Sequence, residues 1–89
     1  MGSPPPIDFS TFVYSLATQA LALLGEIDLP GIEHRGSPEL PAAKQTIDIL
    51  EMLEEKTKGN LAGPEAKLLE TLLYDLRLRY VKAARKQEG

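Results

Sequence analysis

The chain contains no cysteine. Disulfides and thiolate metal sites are therefore excluded outright. It contains one histidine, His34, which excludes a histidine-rich zinc site as well. Charge is missing from one long stretch: from Phe9 to Gly25 there is no ionised side chain in 17 residues. At an average charged share of about a quarter, roughly four were due there. A membrane-length apolar run is also lacking. The most apolar segment, Phe12 to Leu24, spans 13 residues and includes Ser15, Thr18 and Gln19, whereas crossing a bilayer takes about 20 apolar residues. Residues 2–11 hold no lysine or arginine, which a secretory signal places ahead of its apolar run. The myristoylation pattern has serine or threonine where this chain has Pro6. With no targeting segment read and no cysteine to protect, the expected location is the cytoplasm.

What is present describes one small domain. Of 89 residues, 43% are hydrophobic and 26% charged, ordinary values for a globular protein. A chain this short has little margin from its own core and commonly gains support from disulfides, a metal or a partner chain. Only the partner remains open here. The formal charge of −3 gives no overall attraction to nucleic acid or an acidic membrane. Its distribution is uneven: residues 1–60 hold 4 basic and 9 acidic groups, and residues 61–89 hold 6 and 4. The positive surplus lies in Arg77, Arg79, Lys82, Arg85 and Lys86.

The periodicity predicts three helices. Residues 1–7, with Pro4-Pro5-Pro6, read as a disordered or extended leader. Residues 8–86 read as a single helical domain, and 87–89 as a frayed tail. The first helix is expected over about 9–24, capped by Asp8 or Ser10 and stopped by Gly25. Phe9, Phe12, Val13, Leu16, Ala17, Ala20, Leu23 and Leu24 recur at three and four residues and form its broad face, which Leu21 widens. Its far side offers only Thr11, Ser15, Thr18, Gln19 and Ala22, so this helix is expected to be covered on more than one side. A connector over 26–38 carries the turn signals Leu29-Pro30-Gly31 and Gly36-Ser37-Pro38, with Ile27, Leu29 and Ile32 as candidates to fold back over the core.

The second helix is expected over about 40–58, with Ala43, Ile47, Leu50 and Leu53 facing the core and Thr46 and Thr57 alongside. Ile49 and Met52 extend its apolar arc, and Glu54 and Lys58 are spaced as an i,i+4 pair. Gly59-Asn60 stops it. The third helix is expected over about 64–86, with Pro64 in its first turn. Leu68, Leu69, Leu72, Leu73, Leu76 and Tyr80 face the core. Tyr74, Leu78 and Val81 form a second seam roughly opposite. One helix cannot bury two opposite faces against the same neighbour. No segment alternates long enough for a strand, and no heptad persists long enough for an extended coiled coil.

Three segments, FSTFVYSLATQALALLGEI, AKQTIDILEMLEEKTKGNL and LLETLLYDLRLRYV, resemble the small bacterial proteins of the domain of unknown function 1844 family. The resemblance covers about residues 9–82, and TIDILEMLEEKTKGNL is its most specific part. It implies a bacterial, cytosolic, helical domain and transfers no catalytic residue. Members often place a serine or threonine cap and then proline before the third helix; here Gly63-Pro64 stands without the hydroxyl.

Candidate chemistry is sparse. Asp48, Glu51, Glu54 and Glu55 lack the Glu-x-x-His companions of a bundle di-metal site and read as a solvated face. In Lys56-Thr57-Lys58-Gly59-Asn60 the glycine follows a helix, whereas a phosphate loop precedes one, so the segment reads as a helix stop. His34 reads as an exposed loop residue. The expectation is an all-α three-helix bundle, with the first helix packed on an antiparallel hairpin of the other two, completed by homodimerisation. The expected interface is Phe12, Leu16, Leu23, Tyr74, Leu78 and Val81. The expected function is a non-enzymatic, self-associating protein-interaction module, without cofactor or metal. The alternative is weak nucleic-acid binding through the C-terminal basic stretch.

Overall fold

The computed structural model describes residues 7–28 and 38–88, apart from the side chain of residue 88. Most of the leader and the Leu29–Ser37 part of the connector, with Ile32 and His34, lie outside the described residues. Three helices follow in order: α1 (Phe9–Leu23), α2 (Leu40–Lys56) and α3 (Gly63–Glu88). Each contacts both others, so the chain is an all-α three-helix bundle. No strand occurs among the described residues.

The start of α1 is set by Asp8. Its backbone is extended (φ −116°, ψ 172°), and its carboxylate accepts the Thr11 N–H at 2.7 Å. One of the four unpartnered amides of a first helical turn is thereby satisfied. At the other end, Gly25 adopts φ +84°, a conformation that only glycine enters freely. Its N–H donates to Ala22 O and that of Glu26 to Leu21 O, at 3.0 and 2.9 Å. This is the paired closure of a Schellman stop. The Glu39 N–H then donates to Leu23 O at 2.7 Å, so the residue before α2 fills another open carbonyl of α1.

α2 begins without a side-chain cap, with Pro41 in its first turn, where its missing N–H costs nothing. It ends at Lys56, two residues before the expected 58. Thr57 and Lys58 belong to the turn that Gly59 completes at φ +88°. Lys58 therefore leaves the helical face it was expected to share with Glu54. The side-chain pair that does form on α2 is Lys44–Asp48, at 3.0 Å. α3 starts without the capping hydroxyl. Glu65 compensates: its carboxylate accepts the Ala62 N–H at 2.9 Å, half of a capping box made by the downstream acid alone. α3 continues to Glu88, past the expected end at 86. Nothing in Gln87-Glu88 stops a helix, and Gln87 Nε2 lies 3.5 Å from Pro38 O as donor.

The core joins Val13, Ala17, Ala20 and Leu24 to Ala43, Ile47, Leu50, Leu69, Leu73 and Leu76. Leu50, Leu69, Leu73, Leu76 and Val13 are the largest side chains fully removed from water, each worth about 1.5–3 kcal/mol. Thr46 is the buried polar residue of α2, and its hydroxyl donates to Ala42 O at 3.0 Å. Ala17, Ala20 and Ala22 of α1 and Ala43 of α2 are also buried. Leu68, Leu72 and Tyr80, expected in the core, are half-buried, and Leu72 and Tyr80 pack against its margin.

Candidate interaction surface

α3 carries two apolar stripes. Leu69, Leu73 and Leu76 are fully buried against α1 and α2. Tyr74, Leu78 and Val81 project from the other side and are 68%, 45% and 45% exposed. The reason lies in the spacing. At about 100° per residue the two stripes differ by close to half a turn of the helix, and both neighbouring helices pack on the leucine stripe. The three seam residues share one face, so the structure brings them together as the sequence spacing predicts.

α1 is covered unevenly. Near its C-terminus Ala22 is fully buried, although it lies on the far side. Towards the N-terminus Thr11, Phe12, Tyr14, Ser15 and Gln19 are exposed in the single chain, with Phe12 at 40% and Tyr14 at 57%. Two hydroxyls on this side of α1 turn inward. Ser15 Oγ donates to Phe12 O at 2.7 Å, and Thr18 Oγ1 to Tyr14 O at 2.8 Å. Each hydroxyl thus satisfies its donor on its own helix, which makes the surface less demanding of water than its residue types suggest.

Of the other expected interface residues, Leu16 and Leu23 are half-buried and pack against the core of their own chain. Phe12 is the exposed one on α1. Tyr14 escaped the sequence reading because it lies off the stripe of three- and four-residue repeats. Ile49 and Met52, read as an extension of the α2 arc, are exposed at 37% and 48%.

The charged side chains form local ties. Arg77 donates to Glu51 at 2.7 Å, linking α3 to α2. Arg79 Nε donates to Asp75 at 2.8 Å, and its Nη1 lies 3.3 Å from Glu26, just beyond α1. The hydrogen bond it donates to Asp75, then the charge of that carboxylate, holds the Arg79 guanidinium above its usual range. Two of the five C-terminal cations are therefore engaged within the chain. The Arg77–Glu51 and Arg79–Glu26 contacts were not legible in the sequence, because they join distant segments through the relative placement of the helices, whereas Asp75–Arg79 is a local i,i+4 pair.

The acidic residues of α2 do not converge. Asp48 serves Lys44 and Glu51 serves Arg77, and among the described residues no group of three His, Cys, Asp or Glu is placed to hold a metal ion. A groove of about 470 Å³ lies at the α2–α3 turn, lined by Glu54, Glu55, Thr57, Lys58, Gly59, Leu61, Ala66, Leu69 and Glu70. The lysine–threonine–glycine segment forms one wall of it. Among the described residues, no helix is long and apolar enough to cross a membrane.

A family model described as Domain of unknown function (DUF1844) matches residues 6–82. No curated protein and no solved structure matches the chain significantly.

Proposed function

We propose that this chain, which belongs to the DUF1844 family, is a non-enzymatic helical interaction module that associates with itself. The observation that carries the proposal is the exposed Tyr74–Leu78–Val81 seam, opposite a fully buried leucine stripe on the same helix. Apolar side chains scattered singly over a surface need no explanation, but three in register on one helical face form a continuous strip. On α1, Phe12 and Tyr14 are also exposed, at opposite edges of a face on which the Ser15 and Thr18 hydroxyls donate to their own helix. A small core supports the same reading, since association adds the burial that a short chain lacks.

Sedimentation equilibrium tests the proposal. The wild-type chain is expected to be dimeric at high micromolar concentration, and a monomer there overturns the reading. Leu78→Glu places charge in the middle of the seam and is expected to dissociate the dimer with helical content unchanged by circular dichroism. A dimer that withstands it removes the α3 seam from the interface. Binding of nucleic acid through the basic stretch is the less favoured reading, because Arg77 and Arg79 are already engaged by carboxylates. It would return if fluorescence anisotropy at low salt revealed binding tighter than about 100 μM, the range of non-specific binders. The family resemblance supports a place in the bacterial cytoplasm.

A further inference from the structure

Two charges border the α3 seam at equal distance. Glu70 lies four residues before Tyr74, and Arg85 lies four residues after Val81. At about 100° per residue, Glu70, Tyr74, Leu78, Val81 and Arg85 fall within an arc of about 80°. Glu70 and Arg85 are both exposed. Neither takes part in an ion pair among the described residues, in contrast to Arg77 and Arg79. Between Glu70 and Arg85 the stripe is thus acidic at its first residue, apolar in the middle and basic at its last, while the exposed Lys67 precedes Glu70 on the same arc.

Such a stripe is complementary to itself when one copy is reversed. A two-fold axis crossing α3 between Arg77 and Leu78 brings Glu70 against the partner's Arg85 and Tyr74 against the partner's Val81. The two Leu78 side chains meet beside the axis. Because a two-fold interface uses the same patch twice, the Glu70–Arg85 and Tyr74–Val81 contacts each occur twice. A parallel arrangement would set Glu70 against the partner's Glu70 and Arg85 against the partner's Arg85, which repel.

We infer that the occupant of the α3 seam is the same seam of a second copy, packed antiparallel, with Glu70 paired to the partner's Arg85 at each end. This rests on the self-association proposed above and adds its geometry. The complementary ends set orientation and register, and the apolar centre supplies the burial.

Charge exchange on the full chain tests the geometry. Glu70→Arg and Arg85→Glu are each expected to raise the dimer Kd about tenfold, because both symmetric contacts turn repulsive together. Combining the two substitutions in one chain restores both pairs in swapped form. An equimolar mixture of the two single variants forms mixed dimers in which one pair is swapped and the other keeps its native sense. Both are expected to return to within about threefold of the wild-type Kd. Single variants that dimerise like the wild type, or a double variant as weak as the singles, overturn the antiparallel pairing. A wild-type chain that never dimerises removes the underlying association as well, whereas a dimer indifferent to these charges removes only this arrangement. Circular dichroism of each variant verifies that the helices are intact.

Discussion

Asp8 begins α1 with one hydrogen bond, and that bond makes the start of the helix sensitive to pH. The Thr11 N–H stabilises the carboxylate, first through its backbone hydrogen bond, and lowers the Asp8 pKa below its ordinary 3.8. A group with a depressed folded pKa contributes stability that is present above its unfolded value and is lost as pH falls through the folded one. Asp8→Ala is therefore expected to lower the thermal midpoint at neutral pH, and the gap to wild type should narrow once pH drops below 3.8. Parallel melts of both proteins across that range check it; a gap that stays constant would mean the carboxylate is not the cap. The sequence narrowed this cap to Asp8 or Ser10, because capping depends on residues within one turn, and the structure places it at Asp8. Glu65 as the cap of α3 was less so. The absent hydroxyl was visible, but only the structure revealed the downstream acid reaching back to Ala62.

Helix α3 bears opposite consequences on its two faces. Leu73 is fully buried, and Leu73→Ala is expected to cost about 2–5 kcal/mol, a large part of a total stability that is about 5–15 kcal/mol for typical domains. Urea denaturation of the variant measures this, and a loss under about 1 kcal/mol would place Leu73 outside a well-packed core. Leu78, five residues on, should leave the fold standing when changed to glutamate and should alter only association. Periodicity alone revealed two apolar stripes on this helix. It placed the leucines inside, and the structure fully buries Leu69, Leu73 and Leu76 while leaving Leu68 and Leu72 half-buried. The ends of α2 and α3 were less legible. α2 stops at Lys56 because a turn closing on Gly59 takes up Thr57 and Lys58. α3 runs on because nothing after Lys86 interrupts it.

At the scale of the molecule, association should couple to stability. A partner that binds only the folded chain stabilises it by mass action, so the midpoint becomes dependent on protein concentration. The thermal midpoint of the wild type is expected to rise over a hundredfold increase in concentration, while that of Leu78→Glu stays level. Equal behaviour of the two in differential scanning calorimetry would separate the seam from any stabilising association.

By itself the sequence determined an all-helical chain, its three segments, the stop at Gly25, and the residues that share each helical face. Those properties follow from backbone preferences and a period of 3.6 residues, and both act over a few neighbouring positions. Only the tertiary structure decided that Leu16 and Leu23 pack on the core while Phe12 and Tyr14 meet water. It alone decided that Arg77 reaches Glu51 and Arg79 reaches Glu26, and it left Glu70 and Arg85 without ion-pair partners among the described residues. Burial and pairing depend on how three helices rotate and lean against one another, and no local pattern encodes that rotation.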